Sequence, residues 1–256
     1  MTERRVAIAA PEGLNTVPLI YGIEHADCLH VDVVCSSPSH SAAAFAAGRA
    51  DIALLPVGEL PGIKDADIVS SYCVGYGPQS GVCLLAGRGP IEKIERIFHT
   101  PDTLTEGYYA AILATKKRGA RASIECADVL PAAADMAESD ACVFAGEGAE
   151  GAAAGFSHVY DLTELWSAAE RVPMVYAVWV AHSGVGNATL DALEQSLTFG
   201  LEHVWEAICS SAYAERPDAY DFLTCKADYI FDNQKNKALK KFWDSGLKTT
   251  LRINPG

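Results

Sequence analysis

Positive charge is scarce in this sequence. The 256 residues contain 33 Asp and Glu but 20 Lys and Arg, which gives a formal net charge of −13 at pH 7. Lys and Arg are absent from residues 6–48, 65–87 and 122–170, among other stretches. The deficit argues against nucleic acid as a partner, because phosphates require a basic surface, and against a polybasic membrane-binding site. A ligand site built from these stretches must hold an anion without a nearby side-chain cation.

Paired cysteines and long apolar runs are also lacking. The eight cysteines are scattered and no C-x-x-C occurs, so we expect free thiols, several of them buried, and neither disulfides nor metal chemistry. His40 and His99 stand far apart in sequence, which gives no support for a metal site. The first apolar run, residues 6–10, is too short for a signal peptide, and no run suits a membrane span. We therefore expect a cytoplasmic protein with no membrane partner.

Short apolar segments alternate with helical patterns in the first part of the chain. Strands are predicted at residues 6–10, 31–35 and 51–56, and helices at 13–21 and 39–47. This alternation is the βαβ pattern of an α/β fold. Half of the residues are hydrophobic, a globular composition that at this length favours one large domain or two modest ones.

The rest of the chain continues this pattern and then becomes mainly helical. Further strands are predicted at residues 68–74, 82–86, 97–99, 141–145, 159–162 and 175–181, with helices at 90–96, 103–118 and 161–170. Three more helices are predicted at residues 190–211, 219–225 and 233–245. The first of these has apolar residues at steps of three and four, the period of an amphipathic helix.

Five turns that follow predicted strands are rich in Gly, Ser, Thr or Asn: residues 11–18, 36–41, 75–81, 100–106 and 146–149. In open α/β sheets, ligand sites gather at strand ends, where helix N-termini offer amides to anions. Asn15 and Thr16 either cap a helix or bind a ligand, whereas Ser36, Ser37 and Ser39 suit capping better than nucleophilic attack. The sequence has neither Gly-x-Ser-x-Gly nor a phosphate-loop Gly-Lys-Ser/Thr, which leaves ordinary nucleophilic and nucleotide-triphosphate chemistry without support.

Four groups of motifs extend over nearly the whole chain. They are LNTVPLIYG (residues 14–22); PS (38–39) with AGRADIALLPV (47–57); YCVG (72–75) with GP (77–78) and VCLL (82–85); and YDLTELW (160–166) with VPMVYAVW (172–179). In order and spacing they resemble the chorismate dehydratase family of menaquinone biosynthesis by the futalosine pathway.

The resemblance implies an α/β, two-lobed fold like the type II periplasmic binding proteins, with a small-molecule ligand in a cleft between the lobes. Lobe one would comprise residues 1–84 and 179–256, and lobe two residues 85–178. The implied reaction is a carbon–oxygen lyase step that removes water from chorismate to give 3-[(1-carboxyvinyl)oxy]benzoate. It requires no cofactor and no metal. The sequence indicates no oligomeric state.

The resemblance also implies roles for particular residues. Asn15 matches the family's active-site Asn and is the expected catalytic residue, which would bind the substrate or steady the leaving hydroxyl. The expected substrate-binding residues are Thr16, Ser39, Ser80, Gly81, Thr103, Thr105 and Gly146. Their ligand would be chorismate or a related carboxylate.

Three departures from the family pattern open a second hypothesis. Gly81 stands where the family has Ser, with Ser80 one residue earlier; Val17 replaces a Lys; and residues 103–106 (TLTE) replace Ser-Arg-Thr-Ser. Each lost charge-assisted hydrogen bond costs about 1.5–3 kcal/mol, and a dianion would meet Glu12, Glu106 and Glu147. The alternative is therefore a non-catalytic binding protein on the same fold, with a less anionic ligand held by these three acids.

Overall fold

The computed structural model describes residues 5–146 and 148–245, and the main chain of residues 252–253. The strands are, in chain order, β1 (Val6–Pro11), β2 (Val31–Ser36), β3 (Ile52–Pro56), β4 (Ala66–Tyr76), β5 (Cys83–Gly87), β6 (Arg96–His99), β7 (Ser123–Cys126), β8 (Asp140–Ala145), β9 (His158–Asp161), β10 (Met174–His182), β11 (Ala227–Ile230) and β12 (Arg252–Ile253).

The α-helices are α1 (Val17–His25), α2 (Pro38–Ala46), α3 (Leu104–Arg118), α4 (Ala149–Ala153), α5 (Leu162–Glu170), α6 (Asn187–Glu202), α7 (Val204–Cys209), α8 (Ala219–Asp221) and α9 (Asn233–Asp244). Short 3-10 turns at Leu14–Thr16 and Pro101–Thr103 lead into α1 and α3.

The chain forms two compact units. Among the described residues, the first unit contains residues 5–75, 175–233 and 252–253, and the second contains 76–174 without residue 147, and 234–245. This division differs from the predicted lobes, whose boundaries after residues 84 and 178 each cut a strand. β5 pairs along its length with β8 of the second unit, while Ala177 and Val178 pair with β3 of the first unit. Almost all of α9 also belongs to the second unit.

The first unit is built on a sheet with the strand order β11-β4-β10-β3-β1-β2, and β12 lies beside β4. β1 runs parallel to β2, from Val6 opposite Val31 to Pro11 opposite Ser36, and parallel to β3. All five residues of β3 are buried, as expected for an apolar strand covered on both faces. The parallel pairing places the carboxyl ends of β1 and β2 at the same edge of this sheet.

The helices of the first unit differ from the prediction in two places. The single helix predicted at residues 190–211 is divided into α6 and α7 at His203, whose φ of −120° and ψ of 38° are not helical. The helix predicted at residues 219–225 is the short α8 followed by a π-helical turn, Phe222–Lys226. The strand β11 follows this turn and has no counterpart in the prediction.

The second unit has a sheet with the strand order β7-β6-β8-β5-β9. β6 is parallel to β7 and β8, whereas β5 is antiparallel to β8 and β9. The helix predicted at residues 90–96 is instead a 3-10 turn, Ile91–Lys93, which leads into β6.

An aromatic cluster holds α3, α5 and α9 together within the second unit. The Tyr109 ring lies 4.7 Å from that of Trp166 and 4.4 Å from that of Phe242, between ring centroids. Beside it, the buried Glu170 carboxylate accepts hydrogen bonds from Lys116 and Lys241. These contacts explain why α9 belongs to this unit although the preceding residues belong to the first.

Two further findings concern the chain as a whole. All eight cysteines carry free thiols, and Cys73, Cys83 and Cys142 are buried. In the part of the chain that the structure describes, no helix has both the length and the apolar character needed to cross a membrane.

Candidate functional site

The turn after β1 carries Asn15, the expected catalytic residue. Gly13 has a φ of 154° and a ψ of 159°, a combination that is accessible to Gly almost alone. A Cβ atom on Gly13 would lie 2.9 Å from Asn15 Oδ1. The missing side chain at Gly13 therefore gives the half-buried Asn15 side chain the space that it occupies.

Thr16 is a structural residue of the same turn. Its side chain is buried, and its hydroxyl lies 2.9 Å from the carbonyl oxygens of both Pro11 and Gly13. Thr16 precedes α1 but makes no side-chain capping bond to the helix. Because the hydroxyl hydrogen is directed to the main chain, Thr16 fixes the turn that carries Asn15.

Two contacts from distant residues hold this turn in place. The Tyr229 hydroxyl, on β11, donates a hydrogen bond of 2.9 Å to the main-chain oxygen of Asn15. Helix α1, which follows the turn, packs against α6 at two glycines. A Cβ on Gly22 would lie 2.0 Å from Ser196 O, and one on Gly200 would lie 1.9 Å from Pro18 O.

Ser39 lies in a serine-rich turn at the neighbouring strand end. Helix α2 begins at Pro38, one residue earlier than predicted, and Ser37 occupies its N-cap position without a side-chain capping bond. The Ser37 hydroxyl lies 3.3 Å from Ser39 Oγ and 2.8 Å from His40 Nδ1. The Glu12 amide donates to Ser36 O at 2.8 Å, which joins this turn to that of Asn15. Asn15, Thr16 and Ser39 thus lie at one edge of the first unit's sheet.

Ser80 and Gly81 form the turn before β5 in the second unit. The buried Ser80 hydroxyl donates to Thr163 Oγ1 at 3.1 Å, and the Thr163 hydroxyl donates to Asp161 Oδ1 at 2.6 Å. The Gly81 amide donates to Asp161 Oδ2 at 2.9 Å. Asp161 also caps α5, so this chain of hydrogen bonds ties the turn to that helix.

Gly81 stands where the resemblance expects a Ser, and its backbone conformation favours Gly. Gly81 has a φ of +70°, which a Ser would adopt only with strain. The Ser80 hydroxyl is directed to Thr163 and is buried. Ser80 therefore stabilises this turn.

Thr103 and Thr105 lie at the N-terminus of α3. Thr103 forms a capping box with Thr100, whose main-chain N–H donates to Thr103 Oγ1 at 2.9 Å. Thr105 is buried in the first turn of the helix. Glu106 follows it and is also buried, and burial raises its pKa to about 7. At neutral pH this carboxyl is therefore not the fixed negative charge that its residue type suggests.

Gly146 follows β8 and has a φ of +74°, and its amide donates to Val82 O at 2.9 Å. It is exposed and lies beside the turn that contains Ser80 and Gly81. Glu147, a proposed contact of the alternative ligand, lies outside the described residues. Glu12, which follows β1 and is another proposed contact of that ligand, is exposed.

Asn15, Thr16 and Ser39 thus lie at one sheet edge of the first unit, and in the second unit Gly146 lies beside the turn of Ser80 and Gly81. Sequence reasoning missed three residues that hold them: Tyr229, Asp161 as a cap and Thr163. The capping role of Asp161 could have been predicted from the sequence, because Asp is a preferred N-cap residue and Asp161 stands at the start of a predicted helical segment. Tyr229 could not have been predicted in this way, because β11 is a short strand far away in sequence.

Metal-binding clusters and cavities were the other features that could mark a site among the described residues. Within residues 5–146 and 148–245, no group of His, Cys, Asp and Glu is arranged to hold a metal ion. A cavity of about 590 Å³ in the first unit is lined by Asp67, Val69, Ala181, His182, Ser183, Val185, Asn187, Leu190, Asp191 and Glu194. None of the expected site residues lines it.

The fold is the one seen in periplasmic binding proteins, which confirms the predicted fold class. It is similar to protein AF1704 from Archaeoglobus fulgidus (TM-score 0.71, 16% identity, 96% of this chain and 97% of that chain covered). It is also similar to the Candida albicans CA3427 product, described as having the generic periplasmic binding protein fold (TM-score 0.60, 13% identity, 99% of each chain). A third similar structure is the aliphatic sulphonate binding protein SsuA from Escherichia coli (TM-score 0.59, 13% identity, 98% and 96%).

A family model described as menaquinone biosynthesis matches residues 6–246. The chain belongs to this family, as its motifs led us to expect. A comparison with curated proteins gives no match.

Proposed function

We propose that the protein is a chorismate dehydratase-like lyase, which removes water from chorismate to give 3-[(1-carboxyvinyl)oxy]benzoate in menaquinone biosynthesis. The family match over residues 6–246 is the observation that carries this proposal. The motif around Asn15 adds support, since its geometry keeps a polar side chain at a strand end, where ligands bind in this class of sheet.

The proposed reaction is an elimination that leads to an aromatic ring. A carbon–hydrogen bond and the carbon–oxygen bond of the ring hydroxyl break, and the departing hydroxyl and proton form water. No electrons are exchanged with another molecule, so the balance needs no redox partner. The protein's task is to position the dianion and assist the departing hydroxyl.

Asn15 is the proposed catalytic residue. Its side-chain amide can donate a hydrogen bond to the leaving hydroxyl and accept one from the substrate. The hydrogen bond from Tyr229 and the space above Gly13 support a fixed position for this side chain. Fixed donors of this kind act on charge that develops in the transition state, where one donor is worth about 100-fold or more in rate.

A substrate carboxylate bound beside Asn15 would rely on neutral donors of the same unit, such as Ser39 and the first-turn amides of α2. The acid at residue 106, which the sequence suggested would repel a dianion, has a pKa raised to about 7 by burial. Part of the electrostatic objection to chorismate is therefore removed at or below neutral pH. The free thiols of all eight cysteines also support the cytoplasmic location that forms part of this proposal.

A second candidate is a binding protein with a less anionic ligand. The absence of Lys and Arg from residues 6–48 and 65–87 favours it, because the turns of Asn15, Ser39 and Ser80 all lie in these stretches. The structure neighbour SsuA, an aliphatic sulphonate binding protein, supports small-molecule binding on this fold without catalysis.

Product analysis separates the two candidates. The purified protein is incubated with chorismate, and formation of the carboxyvinyloxy-benzoate is followed by chromatography and mass spectrometry. The lyase proposal predicts steady turnover that Asn15→Ala lowers about 100-fold, while Asn187→Ala, an exposed Asn of the same unit, retains it. No turnover, with thermal stabilisation by a neutral or cationic metabolite but not by chorismate, would support the binding protein.

A further inference from the structure

Glu106 is a buried acid in the first turn of a long helix. It is the third residue of α3, a helix of 15 residues, and follows the capping box of Thr100 and Thr103. The residue is 5% exposed. The first turn of an α-helix presents main-chain N–H groups without partners in the helix, and these favour negative charge.

Among the residues that the structure describes, one oxygen of the Glu106 carboxyl has no hydrogen-bond partner. A hydrogen bond with its own main-chain N–H lowers the pKa of the carboxyl in part. The oxygen without a partner, Oε2, is buried. Buried polar atoms in folded proteins are nearly always hydrogen-bonded, so an orphaned oxygen at an anion-favouring helix end indicates a ligand-binding position.

Titratable side chains of β5 and β6 lie near this end of α3. Cys83, on β5, is a buried thiol whose pKa is raised well above its usual value by burial, and then by the charges of Glu106 and Asp161. His99, on β6, packs against Gly107 and directs Nδ1 to Thr100 O at 2.7 Å. For Glu106 itself, burial is the larger influence on the pKa and raises it.

We propose that Glu106 binds a carboxylate of the ligand as a neutral acid, so that the ligand enters the first turn of α3 together with one proton. The Oε2 hydroxyl donates to the ligand carboxylate, and the proton comes from solvent. The inference rests on the proposed function only for the identity of the ligand as chorismate.

Two physical effects favour this arrangement. An acid–carboxylate pair forms a short, charge-assisted O–H···O bond, which is about twice as strong as a neutral one. A second negative charge beside Glu106 would also raise its pKa further. Ligand binding and protonation of Glu106 therefore reinforce each other. The protonated carboxyl binds the ligand carboxylate in place of a positively charged side chain.

The test is calorimetric titration with chorismate from pH 5.5 to 8.5, in pairs of buffers with different ionisation enthalpies. In the wild type we expect uptake of about one proton per ligand at pH 8 and little below pH 6. The affinity should fall by about tenfold per pH unit above pH 7, because a proton must be bound in each complex. Glu106→Gln has a permanent N–H donor of similar shape, so its affinity should vary little with pH and its proton uptake should vanish.

Three results would overturn the inference: an affinity independent of pH with no proton uptake in the wild type, loss of binding in a folded Glu106→Gln variant, or no binding of chorismate at pH 5.5. If Glu106→Gln fails to fold, infrared spectra of the wild type decide. The carbonyl band of a protonated carboxyl must persist at pH 8 with chorismate and disappear without it, and any other pattern contradicts the inference.

The outcomes for binding and for catalysis are distinguishable. Proton uptake on binding without product formation would contradict the proposed lyase and leave the role of Glu106 intact. Product formation without proton uptake would support the proposed lyase and contradict the role of Glu106.

Discussion

The hydroxyl of Tyr229 donates a hydrogen bond of 2.9 Å to the main-chain oxygen of Asn15, across 214 positions of sequence. Tyr229 lies on β11, at the far side of the sheet order from β1, and its side chain reaches the turn that carries the proposed catalytic residue. This contact makes Tyr229 a positioning residue for Asn15.

Tyr229→Phe should therefore lower activity through Asn15. The variant loses one hydrogen bond, worth about 1 kcal/mol, and the loss should appear in kcat more than in KM, with kcat reduced up to about tenfold. Tyr72→Phe is the matched control, since its hydroxyl bonds Thr198 in the same unit at 2.8 Å. A similar loss of stability in both variants, with reduced kcat in Tyr229→Phe alone, is the expected result. Equal kcat values would refute the positioning role.

Gly13→Ala tests the space beside Asn15. A methyl group would lie 2.9 Å from Asn15 Oδ1 and would also force an unfavourable backbone conformation, at a cost of about 1–3 kcal/mol. Gly48→Ala is the control, because Gly48 also has a positive φ but no atom within 4 Å of an added Cβ. We expect both variants to be less stable in urea denaturation, and only Gly13→Ala to lose more than about tenfold in kcat/KM. Comparable activity in the two would show that the position of Asn15 is not critical.

The stability of the protein should fall as the pH rises towards 7 because of Glu106. Its pKa is raised from 4.5 to about 7 in the folded chain, so the folded state keeps a proton that the unfolded state releases. The contribution is present below pH 4.5 and is lost between pH 4.5 and 7, in total on the order of 3 kcal/mol.

Denaturation by urea from pH 4 to 8 measures this dependence. Glu106→Gln should flatten the decline, whereas Glu92→Gln, an exposed acid of the same unit, should retain it. Identical pH profiles for the wild type and Glu106→Gln would mean that the folded Glu106 titrates at its ordinary pKa.

Lys241→Met should weaken the attachment of α9 within the second unit. The Lys241 ammonium lies 2.9 Å from both Oε2 and the main-chain oxygen of Glu170. Burial raises the pKa of Glu170, but the hydrogen bonds and charges of Lys116 and Lys241 outweigh it and lower the pKa overall. Because Lys241 is half-exposed, we expect a loss of about 1–2 kcal/mol at pH 7.

The stability lost in Lys241→Met should decrease as the pH falls. A lowered carboxyl pKa stabilises the fold above the unfolded-state value of 4.5, and the gain is lost as the pH falls through the folded-state value. The stabilities of Lys241→Met and the wild type, measured by urea denaturation, should therefore converge as the pH falls through the folded-state pKa of Glu170. Lys240→Met, at an exposed lysine of the same helix, should match the wild type throughout.

Much of the fold follows from periodicity, but its later part does not. β1, β2 and β3 are predicted within about two residues because apolar segments alternate with capped helices over short distances. The break at His203 and the strand β11 are not predictable in this way. Both depend on packing between distant segments, which overrides local preference.

The candidate site shows the same limit. The motif of residues 14–22 identifies Asn15, and its local geometry depends on Gly13, two residues away. The roles of Ser80 and Thr16 could not be predicted, because whether a hydroxyl is exposed or directed to the main chain depends on the folded environment. For Glu106, the residue type alone suggested a repulsive charge, and only its burial indicates a neutral acid.

Single-turnover conversion of chorismate tests the central proposal most directly. The protein is mixed in excess over chorismate at pH 6.5, where Glu106 is largely neutral, and all products are quantified by mass spectrometry at intervals. We predict that chorismate disappears with the stoichiometric appearance of 3-[(1-carboxyvinyl)oxy]benzoate, and that Asn15→Ala slows this about 100-fold. Recovery of unchanged chorismate from the folded wild-type protein would contradict the proposed lyase.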